Sequence, residues 1–321
     1  MFNFVKKRKW YFAISGIVLL AGIVSLSVNG LNLGLDFAPG STMDVYFTQS
    51  NPTETQLRVE LDTVGHGDAK IQHAVDSSTG DDYYYIRTRE IDLSEKNAIE
   101  DTLETAFGPA DIKNFEYISP EVAAEVVRNA GYAVLAAVVG ILLYITWAFR
   151  KLPKPFHYGV CAIIALFHDM LVMIGVFSIL GWLANIEVNS MFIIAALTIL
   201  GYSVNDTIVV FDRIRENLLR GVSKDFATTV NISINESLGR SVATSITTLL
   251  VLLALYLFGG ATISTFILAL IIGVISGTYS SICIASQMLV SWEEGTFGRM
   301  YRKIKGLFIR EAPAVIGGED R

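Results

Sequence analysis

Long runs of apolar residues, joined by short polar connections, recur along the sequence of 321 residues. A transmembrane helix needs about 20 apolar residues to cross the hydrocarbon core of a bilayer. Runs of this length fall at 10–28, 130–149, 156–180, 190–211, 238–258 and 263–290. The first run follows the basic sequence KKRK and has no small-residue cleavage site after it, so we interpret it as a retained anchor. The pattern predicts an α-helical polytopic membrane protein with six transmembrane helices.

A different pattern occupies residues 29–129, where short strand-like and helix-like segments alternate. The strand-like segments are 41–47, 70–75, 82–89 and 112–119, and the helix-like segments are 54–65 and 94–108. Ser94 is the predicted N-cap of the second helix, and Gly108 marks its end. The order β-α-β-β-α-β predicts a ferredoxin-like α+β domain with two helices on one face of a four-stranded sheet.

Basic residues are distributed unevenly among the connections between the apolar runs. Lys and Arg cluster before the first run, in RKLPKP, in the connection that begins with DRIREN and extends to Lys224, and after the last run, whereas GWLANIEV and GGAT contain neither. Because cytoplasmic flanks carry the excess of Lys and Arg, both termini are predicted to be cytoplasmic. The predicted organisation is a cytoplasmic N-terminus and first span (1–28), an extracytoplasmic domain (29–129), a bundle of the remaining spans (130–290) and a cytoplasmic tail (291–321).

The composition supports a membrane protein and indicates no cofactor. Hydrophobic residues make up 52% of the chain and charged residues 17%, whereas soluble domains carry about 25% charged residues. Cys161 and Cys283 lie within apolar runs, and His66 and His73 have no second ligand at metal spacing, so we expect neither metal nor cofactor. The chain has no GxxxxGK[ST] motif and no feature of a nucleic-acid-binding protein, so we expect no ATPase activity.

Four ionisable residues interrupt the apolar runs: His168, Asp169, Asp206 and Arg240. Such residues usually face the interior of a bundle and have a function there, because exposure to lipid is costly. Asp206 lies about five residues from the cytoplasmic end of its span, and at a rise of 1.5 Å per residue its depth matches that of Arg240 in the next span. We therefore expect the two side chains to meet across a helix interface.

Two interpretations of this pair remain open. A buried ion pair can fix the register of two helices, or a carboxylate balanced between burial and a nearby cation can take up and release protons. The same alternatives apply to His168 and Asp169, which are either further relay groups or polar contacts between spans. Small polar residues that can support a water file or hydrogen bonds between helices flank the pair: Ser203, Asn205, Thr207 and Thr244. Gly273 and Gly277 have the small-xxx-small spacing that permits close helix packing.

Several segments of the chain resemble signature motifs of the SecF family of protein-export components. These are LGLDFAPG, SPEVAAEVVRNAGYAV, ALFHD, GYSVNDTIVVFDRIREN and GTYSSICIA, and they occur in the family's order over nearly the whole chain. The resemblance implies a subunit of the bacterial plasma membrane that acts with SecD, as part of the resistance-nodulation-division superfamily. It implies further that the pair uses the proton-motive force in late, SecA-independent steps of polypeptide translocation through SecYEG.

The resemblance also carries expectations about residues and partners. Asp206 in GYSVND and Arg240 in SLGRS match positions that the family assigns to proton passage, with His168 and Asp169 as further candidates. The partners implied are SecD, the SecYEG translocon, the translocating polypeptide and membrane lipid, with a YajC-type accessory protein as an additional candidate. A non-conducting structural scaffold for the translocon is the main alternative function. A small-molecule efflux protein would have two large outer loops and twelve spans, and an intramembrane aspartyl protease would have a GxGD-type motif.

Overall fold

The computed structural model describes residues 2–37, 39–75 and 80–295, so most of the predicted C-terminal tail lies outside the described residues. Its helices and strands follow one another from the N-terminus as α1, β1, α2, β2, β3, α3, β4 and α4 to α9. The helices are α1 Arg8–Asn29, α2 Glu54–Thr63, α3 Leu93–Phe107, α4 Pro120–Ala148, α5 Pro155–Ala184, α6 Ser190–Arg220, α7 Phe226–Phe258, α8 Ala261–Ser280 and α9 Ser286–Glu293. The strands are β1 Gly40–Phe47, β2 Lys70–Val75, β3 Asp82–Thr88 and β4 Ala110–Ile118.

Within the described residues, six helices are long and apolar enough to cross a membrane, which confirms the predicted number of spans. The last span is continuous through α8, a π-helical segment Ser281–Ala285 and α9. The helices are longer than the apolar runs. In particular, α7 begins at Phe226, twelve residues before the run at 238. The apolar run underestimates this helix because its first turns are polar, and Asp225 caps them by accepting a hydrogen bond from the Thr228 amide.

The segment between α1 and α4 forms the predicted α+β domain. Its four strands are antiparallel in the order β2-β3-β1-β4, so each helix connects two strands that are separated by a third. This is the split βαβ arrangement. The predicted N-cap Ser94 is wrong. Asp92 caps α3 by accepting from the Glu95 amide at 2.8 Å, and Ser94 donates to the same carboxylate oxygen at 2.7 Å.

The α+β domain has a hydrophobic core of its own between the helices and one face of the sheet. The core includes the fully buried side chains Met43, Val45, Leu57, Leu61, Ile86, Ile99 and Leu103. Tyr84 faces this core, and its neighbour Tyr83 stacks on Tyr46 on the opposite face of the sheet at 5.2 Å between ring centroids. Because side chains alternate along a strand, the tyrosine run contributes to both faces.

The helices of the membrane bundle divide into inner and outer ones. Half of the most apolar stretch of α5 is buried, against 6% for α4 and 11% for α1. The inner helices are α5, α6 and the α8–α9 span, and α1, α4 and α7 surround them. At the crossing of α1 and α5 the backbones touch, because a Cβ added to Gly22 would lie 2.9 Å from the Cα of Gly175.

The α+β domain is also bonded to the turn between α5 and α6. Leu33, in the linker that follows α1, forms a parallel bridge with Val188 in that turn. The Gly34 amide donates to the Val188 carbonyl at 2.7 Å, and the Val188 amide donates to the Asn32 carbonyl at 2.8 Å. We call this contact between residues 32–36 and residues 185–190 the linker clamp.

Charged groups extend the linker clamp on both sides. Asp36 Oδ2 accepts from the amide of Ser190, the first residue of α6, at 2.7 Å. Arg87 on β3 donates to the Leu33 carbonyl and lies 3.6 Å from a carboxylate oxygen of Glu187. Burial raises the pKa of the Glu187 carboxyl, and the positive charge of Arg87 opposes that shift. The domain and the α5–α6 turn are therefore joined by backbone hydrogen bonds, a helix cap and an ion pair.

Candidate functional site

Two carboxylates lie inside the membrane bundle, Asp169 on α5 and Asp206 on α6. Asp169 is fully buried, and Asp206 is 9% exposed. The aspartates occupy neighbouring inner helices, and their surroundings differ in the number of hydrogen-bond donors that reach each carboxylate. That difference determines what each group can do chemically.

Hydrogen-bond donors surround Asp169 on both of its oxygens. Ser203 Oγ and Ser280 Oγ donate to Oδ2 at 2.6 and 2.7 Å. Ser276 Oγ donates to Oδ1 at 2.6 Å, and His168 Nδ1 lies 3.1 Å from the same oxygen. Since the serines belong to α6 and α8, this carboxylate connects three helices. We call these five residues the Asp169 cluster.

Asp206 lacks such a set of donors. Its Oδ2 atom is buried without a hydrogen-bond partner, although the hydroxyls of Ser241 on α7 and Ser281 lie close to the carboxylate. The Ser241 hydroxyl is likewise buried and unpartnered. A buried charged oxygen without a donor is costly, and binding a proton removes that cost. The ionised form of Asp206 is therefore less well satisfied than that of Asp169.

The π-helical segment Ser281–Ala285 forms one wall beside Asp206. Hydroxyl and amide side chains accompany the wider turn. Ser281 Oγ donates to the Gly277 carbonyl at 2.6 Å, Ser286 Oγ to the Ser281 carbonyl at 2.8 Å, and Gln287 Nε2 to the Ile282 carbonyl at 3.1 Å. Isolated π turns within α-helices occur frequently at functional sites. The sequence predicts a continuous helix here, and the density of serine in TYSSICIAS is the one visible signal of this turn.

Arg240 does not meet Asp206 as expected from the sequence. Among the described residues, no ion pair joins the two side chains, and Arg240 is exposed on the surface of α7. Helical rise predicts only depth, and the direction of each side chain depends on how α6 and α7 pack. Asn205 and Thr244 are exposed as well, and the Thr244 hydroxyl donates to the Arg240 carbonyl at 2.9 Å.

The remaining candidates lie between α6 and α8. Thr207 Oγ1 donates to the Ser203 carbonyl at 3.1 Å and to Ser281 Oγ at 3.4 Å. Gly273 and Gly277 face α6, because a Cβ added to Gly273 would lie 2.1 Å from Cδ1 of Ile199 and one added to Gly277 would lie 3.0 Å from Cβ of Ser203. These contacts place α8 directly against the helix that carries Asp206.

Together, the fold and the site define a polytopic membrane protein with one ferredoxin-like domain and a buried, incompletely bonded carboxylate in its bundle. No group of three His, Cys, Asp or Glu side chains in the described residues is arranged to hold a metal ion. Two family models match the chain: "Protein export membrane protein SecD/SecF, C-terminal" over residues 98–295, and "SecD/SecF GG Motif" over residues 24–50.

Individual relatives give the same result. The chain is 42% identical to the protein translocase subunit SecF of Thermobaculum terrenum, over 94% of this chain and 98% of that one. It is 35% identical to the SecDF of Bacillus subtilis, of which it covers 38%. It superimposes on a crystal structure of SecDF from Thermus thermophilus, described as a translocon-associated membrane protein, with a TM-score of 0.77 and 32% identity, over 91% of this chain and 39% of that one. The chain belongs to the SecF family of protein translocase subunits, and its role lies in Sec protein export.

Proposed function

We propose that this SecF-family protein uses the proton-motive force, together with SecD, to complete the translocation of polypeptides through SecYEG after SecA has acted. In this proposal it is not an enzyme, and ATP hydrolysis belongs to its partners. Asp206 carries the proton, and Arg240 acts with it, while a YajC-type protein is a further candidate partner. The main alternative is a non-conducting scaffold of the translocon.

The observation that carries the proposal is the carboxylate of Asp206, which is buried within a membrane span with one oxygen unpartnered. A carboxylate that served only to hold helices together would have its oxygens satisfied, as those of Asp169 are. Ionisable groups inside membrane spans commonly belong to proton pathways. The neighbouring hydroxyls of Ser241 and Ser281 are small polar groups that a transferred proton or a water molecule can use.

A polar strip on the bundle surface supports SecD as the partner. Gly201 and Asn205 on α6 and Arg240 and Thr244 on α7 are all exposed, at positions one helical turn apart on each helix. An arginine within an apolar span is costly in lipid, and small residues permit close approach of another helix. SecD helices that cover this strip would supply the acidic group that Arg240 lacks within this chain's described residues. The SecDF relatives, in which one chain contains both parts, support the same assignment.

The contacts at the two ends of the bundle support a bacterial plasma-membrane orientation with both termini in the cytoplasm. Arg8 pairs with Glu294 at 2.6 Å, and Lys154 pairs with Glu293 at 3.1 Å. The N-terminus, the α4–α5 connection and the end of α9 therefore lie together at the basic side of the protein. The linker clamp lies at the opposite end, beside the α5–α6 turn that contains neither Lys nor Arg.

The test is the substitution Asp206→Asn. Asparagine is nearly isosteric with aspartate and can still form hydrogen bonds, but its side-chain amide does not take up and release a proton near neutral pH. We expect proton-gradient-dependent completion of translocation into membrane vesicles to fall to the rate measured without a gradient, with SecA and ATP held constant. The double variant Asp206→Asn, Arg240→Met should remain inactive, because no titratable group returns.

Asp212→Asn is the matched control, since Asp212 lies on the same helix but is largely exposed and pairs with Arg215. It should keep full gradient dependence. Folding and association with SecD are measured for each variant by co-purification in mild detergent. Full activity of the double variant would contradict the proposed proton transfer by Asp206 and favour the non-conducting scaffold.

A further inference from the structure

We propose that Asp169 is a positioning residue, which fixes α8 and the π-helical segment Ser281–Ala285 against α6 beside Asp206. Asp169 itself does not carry the transported proton. This assignment rests on the proposed function of Asp206, and it gives a role to a buried charge that the relay does not require.

The first step of the argument is the completeness of the Asp169 cluster. An ionised carboxylate only accepts hydrogen bonds, and both oxygens of Asp169 accept from serine hydroxyls at 2.6 or 2.7 Å. A satisfied network of this kind specifies one arrangement of the helices that supply its donors.

The second step is the spacing of the two serines on α8. Ser276 and Ser280 are one helical turn apart, so they hold the same face of α8 to Asp169 at two points. Two points on one helix fix its rotation as well as its distance. Because successive residues of a helix are rotated by about 100°, Ser281 points to a different neighbour than Ser280 does. Its Oγ atom lies 3.4 Å from Oγ1 of Thr207, the residue after Asp206.

The third step is the connection through α6. Ser203 donates to Asp169 and lies one turn before Asp206. Its carbonyl accepts from Thr207, whose hydroxyl also contacts Ser281 Oγ at 3.4 Å. The Asp169 cluster is thus bonded to Thr207, the residue after Asp206, and no hydrogen bond between described residues joins the cluster to Asp206 itself.

The surroundings of Asp169 contain few titratable groups. His168 contacts Asp169 directly and stacks on Tyr279 of α8 at 6.0 Å between ring centroids. The Tyr279 hydroxyl donates to the Tyr11 carbonyl of α1 and accepts from Ser15. The contacts from α6 and α8 to the carboxylate are serine hydroxyls. A change in the pH profile of export after removal of a serine therefore does not arise from loss of a titratable side chain.

The test compares Ser280→Ala with Ser276→Ala. Each variant removes one serine donor from Asp169, but only Ser280 is adjacent to Ser281. We expect Ser280→Ala to displace the midpoint of the pH profile of gradient-driven export, because the polar side chains of the π-helical segment are then no longer held in place beside Asp206. Ser276→Ala should give a smaller displacement, and Ser280→Thr, which restores a hydroxyl, should return the profile towards that of the parent. The rates are measured in vesicles with SecA and ATP held constant.

Asp169→Asn provides the second readout. The positioning role predicts partial gradient-driven export with a displaced pH profile, whereas complete loss of gradient dependence in a folded, SecD-bound variant would make Asp169 a proton carrier and overturn the proposal. If Asp169→Asn does not fold, the comparison of Ser280→Ala with Ser276→Ala tests the positioning role by itself. Equal pH profiles for both serine variants and the parent protein would also overturn the proposal. Absence of any gradient-dependent export in the parent protein would refute the proposed function instead.

Discussion

Asp169 and Asp206 are the same residue type in neighbouring helices, and the hydroxyl groups around them distinguish their roles. Three serine hydroxyls reach Asp169, whereas Oδ2 of Asp206 has no partner. The sequence predicted that both carboxylates lie within the spans, because each interrupts an apolar run. It could not predict which one is satisfied, because two of the three serine donors come from α8, 107 and 111 residues after Asp169.

Glycine at position 22 provides a test of packing at the level of a single residue. A Cβ there meets backbone atoms of Gly175, which cannot move aside without separating α1 from α5. We expect Gly22→Ala to lower the thermal unfolding midpoint in detergent, with a loss of about 1–3 kcal/mol in unfolding free energy, typical of overpacking. The measurement is a thermal melt of the purified protein in one detergent.

Gly16 is the matched control on the same helix, because nothing lies within 4 Å of a Cβ added there. Gly16→Ala should be neutral or slightly stabilising, since alanine has the higher helix propensity. Equal midpoints for the two variants would show that the close crossing of α1 and α5 does not exist in the folded protein.

At the level of the element, α6 begins with an unusual cap. Asn189 occupies the N-cap position, but its side chain makes no capping hydrogen bond. The acceptor for the first amide of α6 comes instead from Asp36, 154 residues earlier in the chain. A negative charge at this end of a helix is also favourable to the helix dipole. The helix that carries Asp206 is therefore capped by the linker that leads to the α+β domain.

Removal of this cap should weaken α6. We expect Asp36→Ala to lower the free energy of unfolding by about 1 kcal/mol, the usual effect of losing an N-cap acceptor. Asp36→Asn should retain most of the parent's free energy of unfolding, because its side-chain amide oxygen can still accept the hydrogen bond from the Ser190 amide. Denaturant unfolding in detergent measures the difference, and Asp101→Ala, at an exposed position of α3, is the control. An Asp36→Ala variant as stable as the Asp101→Ala variant would contradict the cap.

The elements themselves were largely predictable from the sequence. The strands of the α+β domain show a period of two and its helices a period of 3.6, so their order followed directly. Asp92 and Ser94 are both capable caps two residues apart, and local geometry alone selects Asp92. The depth of Arg240 followed from helical rise, but its direction did not, because side-chain direction is set by the packing of α7 against α6. The π-helical segment has no periodic signal that would distinguish it from the surrounding α-helix.

At the level of the whole molecule, the linker clamp joins two parts that have separate hydrophobic cores. Among the described residues, the α+β domain has one cluster of buried apolar side chains and the membrane bundle has three. Large apolar side chains on α1, α4 and α7 remain exposed, as expected for surfaces that meet lipid or another membrane subunit. The polar strip around Arg240 is the exception on this surface, and it is where we place the SecD contact.

The orientation of the molecule has a direct test. A reporter that is active only outside the cytoplasm should work when fused within residues 29–129 and fail when fused after Val290, because the basic connections hold both termini on the cytoplasmic side. Fusion in the α4–α5 connection, beside Lys154, is an internal control that should also be inactive. Activity on both sides of the membrane, or on neither, would require a different number of spans.

The linker clamp has a consequence for how this protein can vary among relatives. Arg87, Glu187 and Asp36 lie far apart in the sequence, yet each supports a contact between the α+β domain and the α5–α6 turn. A change of one charge leaves its partner unpaired, so substitutions at Arg87 and Glu187 are tolerated best when inherited as a pair. For the same reason, a chimaera that receives the α+β domain of a relative must also receive that relative's α5–α6 turn.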